Sequence, residues 1–356
     1  MKRLLLLSAA LVAACLFARA QEVCDIENPG TRKFLEEIDY SADTAYVLSF
    51  AKQYRSDYGA HDKPLPVTLS WEGAAARVFV SGPSGYALEI LGPTSPAEIY
   101  NLIPGEQYHY KVLDADGNVL KEADVTPLGP LRMINGVTEN VRDLGGWKAN
   151  GGHIAYGKIY RGARLSRRIT EDAKNIFLHD LGIGLDLDLR GIKDSEAHVG
   201  AVIEGADYLK FPVEKNLGRG TGNTQELYQQ AIRTIIGYLG QGKPVYFHCA
   251  GGADRTGTLA FLIEALVGVN ESDLSKDYEL TTFARTNTRL RNFRATEEET
   301  HILYEAITHL RKFGWPEVTN INQLVYNWAT TRHSADVDPL SAEEIELLRK
   351  YLIVKD

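Results

Sequence analysis

The stretch from Pro244 to Gly268 constrains the fold of this chain more than any other. It reads "PVYFHC", then "AGGADRTG", then "TLAFLIEALVG". A short apolar run that ends in small residues is typical of a buried strand, and a longer apolar run is typical of a buried helix. The stretch therefore predicts a strand, a tight turn and a helix inside a core. A chain of 356 residues, 44% of them hydrophobic, is large enough to bury such cores in two domains.

Strands and helices continue to alternate through the second half of the chain, after the Pro/Gly linker "PLGP" at 127–130. The apolar strands "GLDLDLR" and "PVYFHC" alternate with predicted helices. These helices are "TEDAKNIFLHDLG", "TQELYQQAIRTIIGYLGQG", "GTLAFLIEALVG", "EEETHILYEAITHLRKFG" and "SAEEIELLRKYLI". We predict that residues 129–356 form an α/β domain, with a mostly parallel central sheet flanked by helices.

Residues 41–128 have the pattern of an all-β domain. Short alternating segments, among them "PVTLSW", "ARVFVSG" and "YALEIL", are separated by Gly, Pro, Ser and Asp. "DADGN", from Asp114 to Asn118, predicts a hairpin turn between two such segments. We predict a β-sandwich here. Residues 21–40 show no clear strand pattern and are predicted to be a leader segment with one short helix.

Residues 1–20 have the order of a secretory signal sequence. Lys2 and Arg3 precede a leucine- and alanine-rich run, and small residues lead up to Ala20. We predict cleavage after Ala20. The alternative is cleavage before Cys15, because "VAAC" resembles a lipoprotein site at which Cys15 carries a lipid anchor. No other stretch has the roughly 18 apolar residues that a membrane span needs. The protein is therefore expected to be periplasmic or extracellular, and membrane-anchored only if Cys15 is lipidated.

The net charge limits the partners of the protein. It is −8 for the whole chain and −11 without residues 1–20, which contain three basic residues and no acidic one. Such acidity repels nucleic acid, so we predict no nucleic-acid partner, and an anionic substrate needs a local positive site. The nine histidines include no HExxH pair, and no glycine loop is followed by a Walker lysine. We predict no metal or other cofactor.

The turn after "PVYFHC" has the chemistry of an anion site. The small residues Ala250, Gly251, Gly252 and Ala253 allow successive backbone N–H groups to face inward, where the following helix dipole adds positive potential. Arg255 supplies a planar fork that matches two phosphate oxygens. The same field stabilises a thiolate on the preceding cysteine, the only one beyond the leader segment. A thiolate beneath a bound phosphate can accept the phosphoryl group in line.

The spacing of Cys249, five residues and Arg255, with His248 before and Thr256 after, resembles the signature of the protein tyrosine phosphatase superfamily. The resemblance implies that Cys249 is the nucleophile and Arg255 the phosphate clamp. It implies that the N–H groups from Ala250 to Arg255 form the phosphate cradle. It also implies that His248 is a neighbour of the thiolate and that the Thr256 hydroxyl assists departure of the thiolate. Core filling by His248 and helix capping by Thr256 are the structural alternatives.

Further motifs are similar to the bacterial secreted tyrosine phosphatases akin to mycobacterial tyrosine phosphatase B. They are "NVRDLGGW" at 140–147, "GKIYRGARL" at 157–165, "LDLR" at 187–190 and "KDYELT" at 276–281. The likeness extends over residues 135 to 355. In two places the sequence differs, because Gly162 stands where the family often has serine and Ala253 where it has lysine. The missing lysine weakens an inference of phosphoinositide hydrolysis.

The leaving oxygen needs a proton, and two aspartates are candidate general acids. Asp254, inside the loop, matches the aspartate that this family uses. Asp188, at the end of "GLDLDLR", lies where other tyrosine phosphatases place a separate acid. The structural alternatives are a hydrogen bond that braces the loop for Asp254 and an ion pair with Arg190 or Arg142 for Asp188. By its family-like position Arg161 is a candidate substrate contact, with a salt bridge as the alternative.

Residues 41–128 resemble a fibronectin type III domain. The resemblance rests on "VTLSWEG", with Trp71, and "NLIPGEQYHYKV", with Tyr108. It implies that Trp71 fills the sandwich core and that a tyrosine near Tyr108 makes a corner hydrogen bond. Two roles stay open for this domain: packing against the next domain, or binding a glycan or protein ligand.

Together these patterns predict an exported, metal-independent phosphomonoesterase that works through a cysteinyl phosphate. Phosphotyrosine in proteins is the expected substrate, with small phosphomonoesters in the same class. Hydrolysis of inositol phosphates or phosphoinositides is the alternative within that chemistry. A non-catalytic surface module is the alternative from a different class, although a pure binder needs neither a thiolate nor an acid.

Overall fold

The computed structural model describes residues 20–37, 63–194, 200–214, 216–219, 222–284 and 302–356. Cys15 and almost all of the predicted signal sequence lie outside these residues, as does the start of the predicted sandwich. The strands are β1 Ala20–Asp25, β2 Val67–Leu69, β3 Arg77–Ser81, β4 Ala87–Leu91, β5 Ala97–Ile99, β6 Tyr108–Leu113, β7 Val119–Leu128, β8 Arg142–Asp143, β9 Lys148–Ala149, β10 Gly152–Ile154, β11 Ile159–Gly162, β12 Leu185–Arg190, β13 Asp207–Val213, β14 Val245–His248 and β15 Ile353–Val354. The α-helices are α1 Pro29–Glu37, α2 Glu171–Asn175, α3 Gly222–Gly240, α4 Asp254–Val267, α5 Glu271–Leu280, α6 Ile302–Leu310, α7 Ile321–Ala329 and α8 Ala342–Leu352.

The first half of the described chain is built of β-strands around its own core. One sheet has the strand order β1-β7-β6-β3-β4, and β2 pairs with β5 in a second. The predicted turn at Asp114 is present, and the Asp114 N–H donates to the Asn118 carbonyl at 3.0 Å. Trp71 is buried in this core, and the N–H of Ile103 donates to the Tyr108 hydroxyl at 2.9 Å. Kinship with fibronectin type III domains stays a prediction.

Residues 20–37 contain more structure than their sequence indicated. The short helix is present as α1, but the missed strand β1 pairs in parallel with β7 at the edge of the five-stranded sheet. Phe34 of α1 packs edge-on against Phe283, with ring centroids 5.3 Å apart, in the core of the α/β domain. The segment therefore contacts both halves of the chain. The proposed domain boundaries themselves stay predictions.

The second half is α/β, with a mixed central sheet in the order β13-β12-β14-β11-β8. Strands β13, β12, β14 and β11 run parallel, and only the short edge strand β8 is antiparallel. A small antiparallel sheet, β15-β10-β9, lies outside it. Because parallel strands have their carboxyl ends at one edge, the loops after β12, β13 and β14 meet there.

Helix α4 follows β14 and is the central helix of this domain. Every residue from Thr256 to Val267 is buried, because the helix packs against the sheet and against α3, α5, α6, α7 and α8. It ends at Gly268, whose left-handed backbone conformation forms the C-cap. A buried helix anchored on all sides holds the turn at its N-terminus rigidly.

All five predicted helices have described counterparts, whereas α5 and α7 were not predicted. Strand β13 was also missed, because "DYLKFPV" has no clear alternation and ends beside a proline. In the described part of the chain, no helix is both long and apolar enough to cross a bilayer.

Candidate active site

The turn between β14 and α4 encloses a small cup. Gly252 in this turn has a φ of +66°, a conformation that favours glycine. A Cβ at this position would come within 2.3 Å of the backbone carbon of Gly162. The loop therefore packs directly on the end of β11. Glycine at 252 is required both by the backbone conformation and by this close approach.

The carbonyl groups of the turn point away from the cup. The Ala250 carbonyl accepts from the Arg164 N–H at 3.2 Å. Asn140 Nδ2 donates to the carbonyls of Gly251 and Gly252 at 3.2 and 3.1 Å. In a planar trans peptide the N–H points opposite to the C=O. The N–H groups of residues 251, 252 and 253 consequently face the cup, as an anion site requires.

The cup opens into a cavity of about 270 Å³. Its lining residues are Asp194, Glu214, Asn216, Cys249, Ala250, Gly251, Ala253, Asp254 and Arg255. Cys249 is only 3% exposed and lies directly after β14. The structure thus brings the predicted nucleophile, three of the cradle residues, the loop aspartate and the arginine to one cavity.

The environment of Cys249 favours the thiolate. Burial raises the pKa of the thiol, but the Arg255 guanidinium and the hydroxyl and backbone N–H of Thr256 outweigh burial, so that the pKa lies below its ordinary value. The Thr256 hydroxyl is fully buried and has no other partner among the described residues. The predicted role of Thr256 beside the sulfur fits this placement.

Arg255 is oriented by groups from the neighbouring strands. Its Nη1 donates to the Asp194 carboxylate and to the Val213 carbonyl, the latter at 3.2 Å. Asp194 follows β12, and its carboxylate also accepts from the Gly191 N–H at 2.7 Å. Because these described contacts all involve Nη1, the Nε and Nη2 edge can receive two oxygens of an oxyanion.

Asp254 is the first residue of α4 and lies at the cavity. The Tyr278 hydroxyl donates to its Oδ1 at 3.0 Å. This hydrogen bond orients the carboxyl group beside the cup. This geometry fits the predicted proton donor, and it also includes the bracing hydrogen bond foreseen as the alternative.

Asp188 does not reach the cavity, so its prediction as a catalytic residue is not supported by the structure. It is 0% exposed and pairs with Arg190, with Arg190 Nη2 donating at 2.8 Å. Tyr208 donates to the same carboxylate at 2.8 Å. Burial raises the pKa of Asp188, but Arg190 and His248 lower it below the ordinary value. An ionised, fully partnered carboxylate cannot donate a proton. The structure instead shows Asp188 in the ion pair with Arg190 that was its structural alternative.

His248 is buried next to the nucleophile and is not among the described residues that line the cavity, so a direct contact with substrate is not supported. Its Nε2 lies 3.0 Å from Asp186 Oδ1, and its Nδ1 is 3.0 Å from the Cys249 carbonyl oxygen. Burial lowers the pKa of His248, but Asp186 and Asp188 raise it above the ordinary value overall. The histidine is buried at the end of β14, just ahead of the nucleophile, where these contacts orient its ring.

Arg161 lies behind the loop, so the prediction that it contacts substrate is wrong. It is 0% exposed, and its Nη1 donates to the Asp277 carboxylate. Its Nη2 donates to the Gly252 carbonyl at 2.9 Å. The salt-bridge alternative holds, with an added contact to the loop backbone.

The sequence did not single out Asp194, Glu214 or Asn216 as lining residues. Asp194 and Glu214 follow parallel strands, and residues in those positions gather at the carboxyl edge of the sheet. A correct assignment of β13 would have placed Glu214 there. Among the described residues there is no group of three or more His, Cys, Asp or Glu side chains arranged to hold a metal ion.

Comparisons with known proteins agree with this geometry. The sequence profile of the tyrosine phosphatase family matches residues 134–353. The chain is 26% identical over 162 residues to a Cupriavidus necator protein whose name places it among the tyrosine-protein phosphatases. That match covers 39% of this chain and 59% of the relative, so the chain spans less than two thirds of the relative's length.

Solved structures with detectable likeness cover about half of this chain. TpbA of P. aeruginosa is 15% identical, with a TM-score of 0.32, over 50% of this chain and 91% of TpbA. TpbA has also been solved in complex with pTyr. The core catalytic domain of the PP-IP phosphatase SIW14 from S. cerevisiae is 14% identical, with a TM-score of 0.30, over 50% of this chain and 84% of that domain.

Proposed function

Because the chain belongs to the tyrosine phosphatase family, we propose that it is a cysteine-dependent phosphatase that hydrolyses phosphotyrosine in proteins. One observation carries the proposal: Cys249, with its lowered pKa, lies in a cavity shared with inward-facing backbone N–H groups and Arg255. An ionised sulfur beneath an anion cup is suited to attack a bound phosphate group.

The reaction then takes two steps. In the first, the Cys249 sulfur attacks phosphorus, the bond from phosphorus to the ester oxygen breaks, and that oxygen takes a proton from Asp254. In the second, water attacks the cysteinyl phosphate, Asp254 takes a proton from the water, and the S–P bond breaks to release inorganic phosphate. Arg255 and the loop N–H groups bind the non-bridging oxygens in both steps.

The charge around the cavity favours a substrate with a single phosphate. Asp194, Glu214 and Asp254 line it, whereas Arg255 is the one cationic side chain among its described lining residues. A second or third phosphate on an inositol ring would approach these carboxylates and be repelled. One phosphate can be accommodated, since the cup itself supplies the positive potential.

The size and rim of the cavity favour an aryl ester. A volume of about 270 Å³ is below the range of about 300–1,000 Å³ that is usual for drug-sized ligands, and suits a phosphate with one ring. Ile192 is 72% exposed, and its N–H donates at 2.8 Å to Glu214, which lines the cavity. Its side chain is an apolar surface on which a tyrosine ring can pack.

Substrate preference tests this proposal directly. In buffer with chelator, we expect vanadate-sensitive release of phosphate from phosphotyrosine peptides. Because the cavity lining is acidic, kcat/KM should be about tenfold higher for a peptide with flanking lysines than for one with flanking glutamates. Inositol hexakisphosphate should be hydrolysed more slowly than either. Faster hydrolysis of inositol hexakisphosphate than of the peptides would contradict the phosphotyrosine proposal and favour inositol phosphates as substrates. Binding of phosphate esters without turnover would favour the non-catalytic module.

The identity of the general acid can be tested with two leaving groups. We expect Asp254→Asn to slow hydrolysis of an alkyl phosphate about 10²- to 10⁴-fold, and of a nitrophenyl phosphate much less, since a nitrophenolate leaves without protonation. Asp188→Asn is the control, because a buried structural carboxylate should affect both substrates equally. Equal slowing of both esters by Asp254→Asn would contradict the assignment.

We further propose that the protein is exported, on the strength of the signal-like order of residues 1–20. A lipid on Cys15 remains the alternative to cleavage after Ala20, and N-terminal sequencing of the mature protein distinguishes the two.

The fibronectin-like sandwich is proposed to pack against the catalytic domain. Its Asn101 Nδ2 donates to the Asn135 carbonyl at 3.0 Å, and Arg132 Nε donates to the Asn101 carbonyl at 3.1 Å. A glycan or protein ligand of the sandwich is the second candidate role.

A further inference from the structure

Helix α5 lies behind the phosphate cup and carries a buried ion-pair cluster. Asp277 on this helix is 1% exposed. Its Oδ1 accepts from Arg142 Nε at 2.8 Å, and its Oδ2 accepts from Arg161 Nη1. Its backbone carbonyl accepts from Arg142 Nη2 at 2.5 Å. One carboxylate therefore orients two buried guanidinium groups.

Both guanidinium groups are connected by hydrogen bonds to the backbone carbonyls of the cup, Arg161 directly and Arg142 through Asn140. Arg161 Nη2 donates to the Gly252 carbonyl at 2.9 Å. Arg142 Nη1 donates to Asn140 Oδ1 at 2.8 Å, which leaves the Asn140 amide nitrogen to donate to the carbonyls of Gly251 and Gly252. The two paths meet at Gly252. These hydrogen bonds hold the carbonyls of Gly251 and Gly252 away from the cup. The N–H group on the other side of each of these peptide planes therefore faces the cup.

The charge of the cluster adds to the positive potential under the cup. Burial raises the pKa of Asp277, but Arg142 and Arg161 lower it below the ordinary value, so the residue is ionised. Glu264 is the neighbouring carboxyl group; it is fully buried, and neither of its oxygens has a hydrogen-bond partner among the described residues. Burial raises the pKa of Glu264 well above the ordinary value. The raised pKa disfavours the ionised form of Glu264, so this carboxyl group offsets less of the positive charge of Arg142 and Arg161.

We propose that Asp277 is a positioning residue for the phosphate cradle. Through Arg161, and through Arg142 and Asn140, it fixes the peptide planes at Gly251 and Gly252 so that their N–H groups point at a bound phosphate. This role rests on the proposed phosphatase function. Neither Asp277 nor the arginines touch the substrate, so the cluster acts only by setting the geometry of the loop.

Asp277→Asn tests this role, because an NH2 group replaces one of the two carboxylate oxygens that accept from the arginines and leaves buried positive charge unpaired. We expect vanadate to bind more weakly and kcat/KM for an aryl phosphate to fall, each on the order of 10²-fold, as for a misplacement of about 1 Å in reacting groups. Arg161→Lys keeps the charge but cannot contact both Asp277 and Gly252, and should weaken vanadate binding about tenfold. Vanadate affinity is measured by calorimetry on folded protein, independently of turnover.

Asp143→Asn is the matched control. Asp143 is also a buried carboxylate paired with an arginine, with Arg132 Nη1 at 3.2 Å. It also accepts hydrogen bonds from the N–H groups of Gly145 and Gly157, which lie outside the cup. A purely structural role for Asp277 predicts that both variants lose thermal stability while vanadate affinity stays unchanged. Unchanged affinity in folded Asp277→Asn and Arg161→Lys, or an equal loss in Asp143→Asn, would overturn the proposal.

Two further results distinguish failure of the positioning role of Asp277 from failure of the proposed phosphatase function. If Asp277→Asn does not fold, Arg161→Lys decides alone, since its positive charge is retained. If the wild-type protein binds vanadate but releases no phosphate from any ester, the proposed function fails, while the affinity comparison still tests the role of Asp277.

Discussion

Cys249→Ser is expected to lose at least about 10⁴-fold in kcat toward any phosphomonoester, because a serine hydroxyl is not ionised at neutral pH and is a much weaker nucleophile than the thiolate. The cup should persist, because its N–H groups and Arg255 do not depend on the sulfur. The variant should therefore still bind inorganic phosphate or a phosphotyrosine peptide, as measured by calorimetry, while showing no turnover in a phosphate-release assay.

Cys24→Ser is the matched control for this substitution. Cys24 lies in β1, where its thiol approaches the Pro66 carbonyl oxygen at 3.8 Å, outside the described cavity lining. We expect its activity to equal that of the wild-type protein. Substantial turnover by Cys249→Ser would mean that phosphoryl transfer does not pass through this sulfur.

Arg255→Lys is expected to lower kcat/KM by about 10²- to 10³-fold, the usual cost of removing one positioned donor from a transition-state site. A lysine ammonium cannot supply the paired donors of the guanidinium fork. It also cannot satisfy Asp194 and the Val213 carbonyl while contacting phosphate in the same geometry. Phosphate affinity and kcat should both fall, because the fork contacts the substrate in ground and transition states.

The same substitution should change the titration of the nucleophile. Burial raises the pKa of Cys249, and the Arg255 charge is the largest of the effects that lower it. Displacing that charge should therefore raise the pKa toward its ordinary value. The pH midpoint for inactivation by iodoacetamide should move upward. Arg233→Lys, at a half-exposed ion pair with Glu344, is the control and should leave the midpoint unchanged. An unchanged midpoint in Arg255→Lys would show that the exact position of this positive charge does not set the pKa of Cys249.

Much of the site was predictable from consecutive residues. The cup is made by one turn, so its small residues, Cys249 and Arg255 are adjacent in sequence and their chemistry can be inferred together. The strand before it and the helix after it are apolar throughout, and that pattern predicts a buried βα unit. The hairpin at Asp114 was predictable for the same reason, because its turn chemistry is contained in five residues.

The assignment of charged residues depended on tertiary packing. Asp188 lies near the end of a strand and Asp254 at the start of a helix, and their neighbours in sequence do not distinguish their roles. In the structure Arg190 and Tyr208 enclose Asp188. Tyr278 instead holds Asp254 at the cavity. Arg161 is likewise buried behind the loop because Asp277 of the unpredicted helix α5 pairs with it.

The amino-acid sequence by itself determined the α/β unit, the anion cup and the sulfur within it, because these depend on local conformational preference and on neighbours along the chain. Only the tertiary structure decided which carboxylate faces the cavity, which arginine lies behind it, and that Asp194 and Glu214 border it. The physical reason is that the ionisation and exposure of a charged side chain depend on the groups packed around it, and those groups come from distant segments.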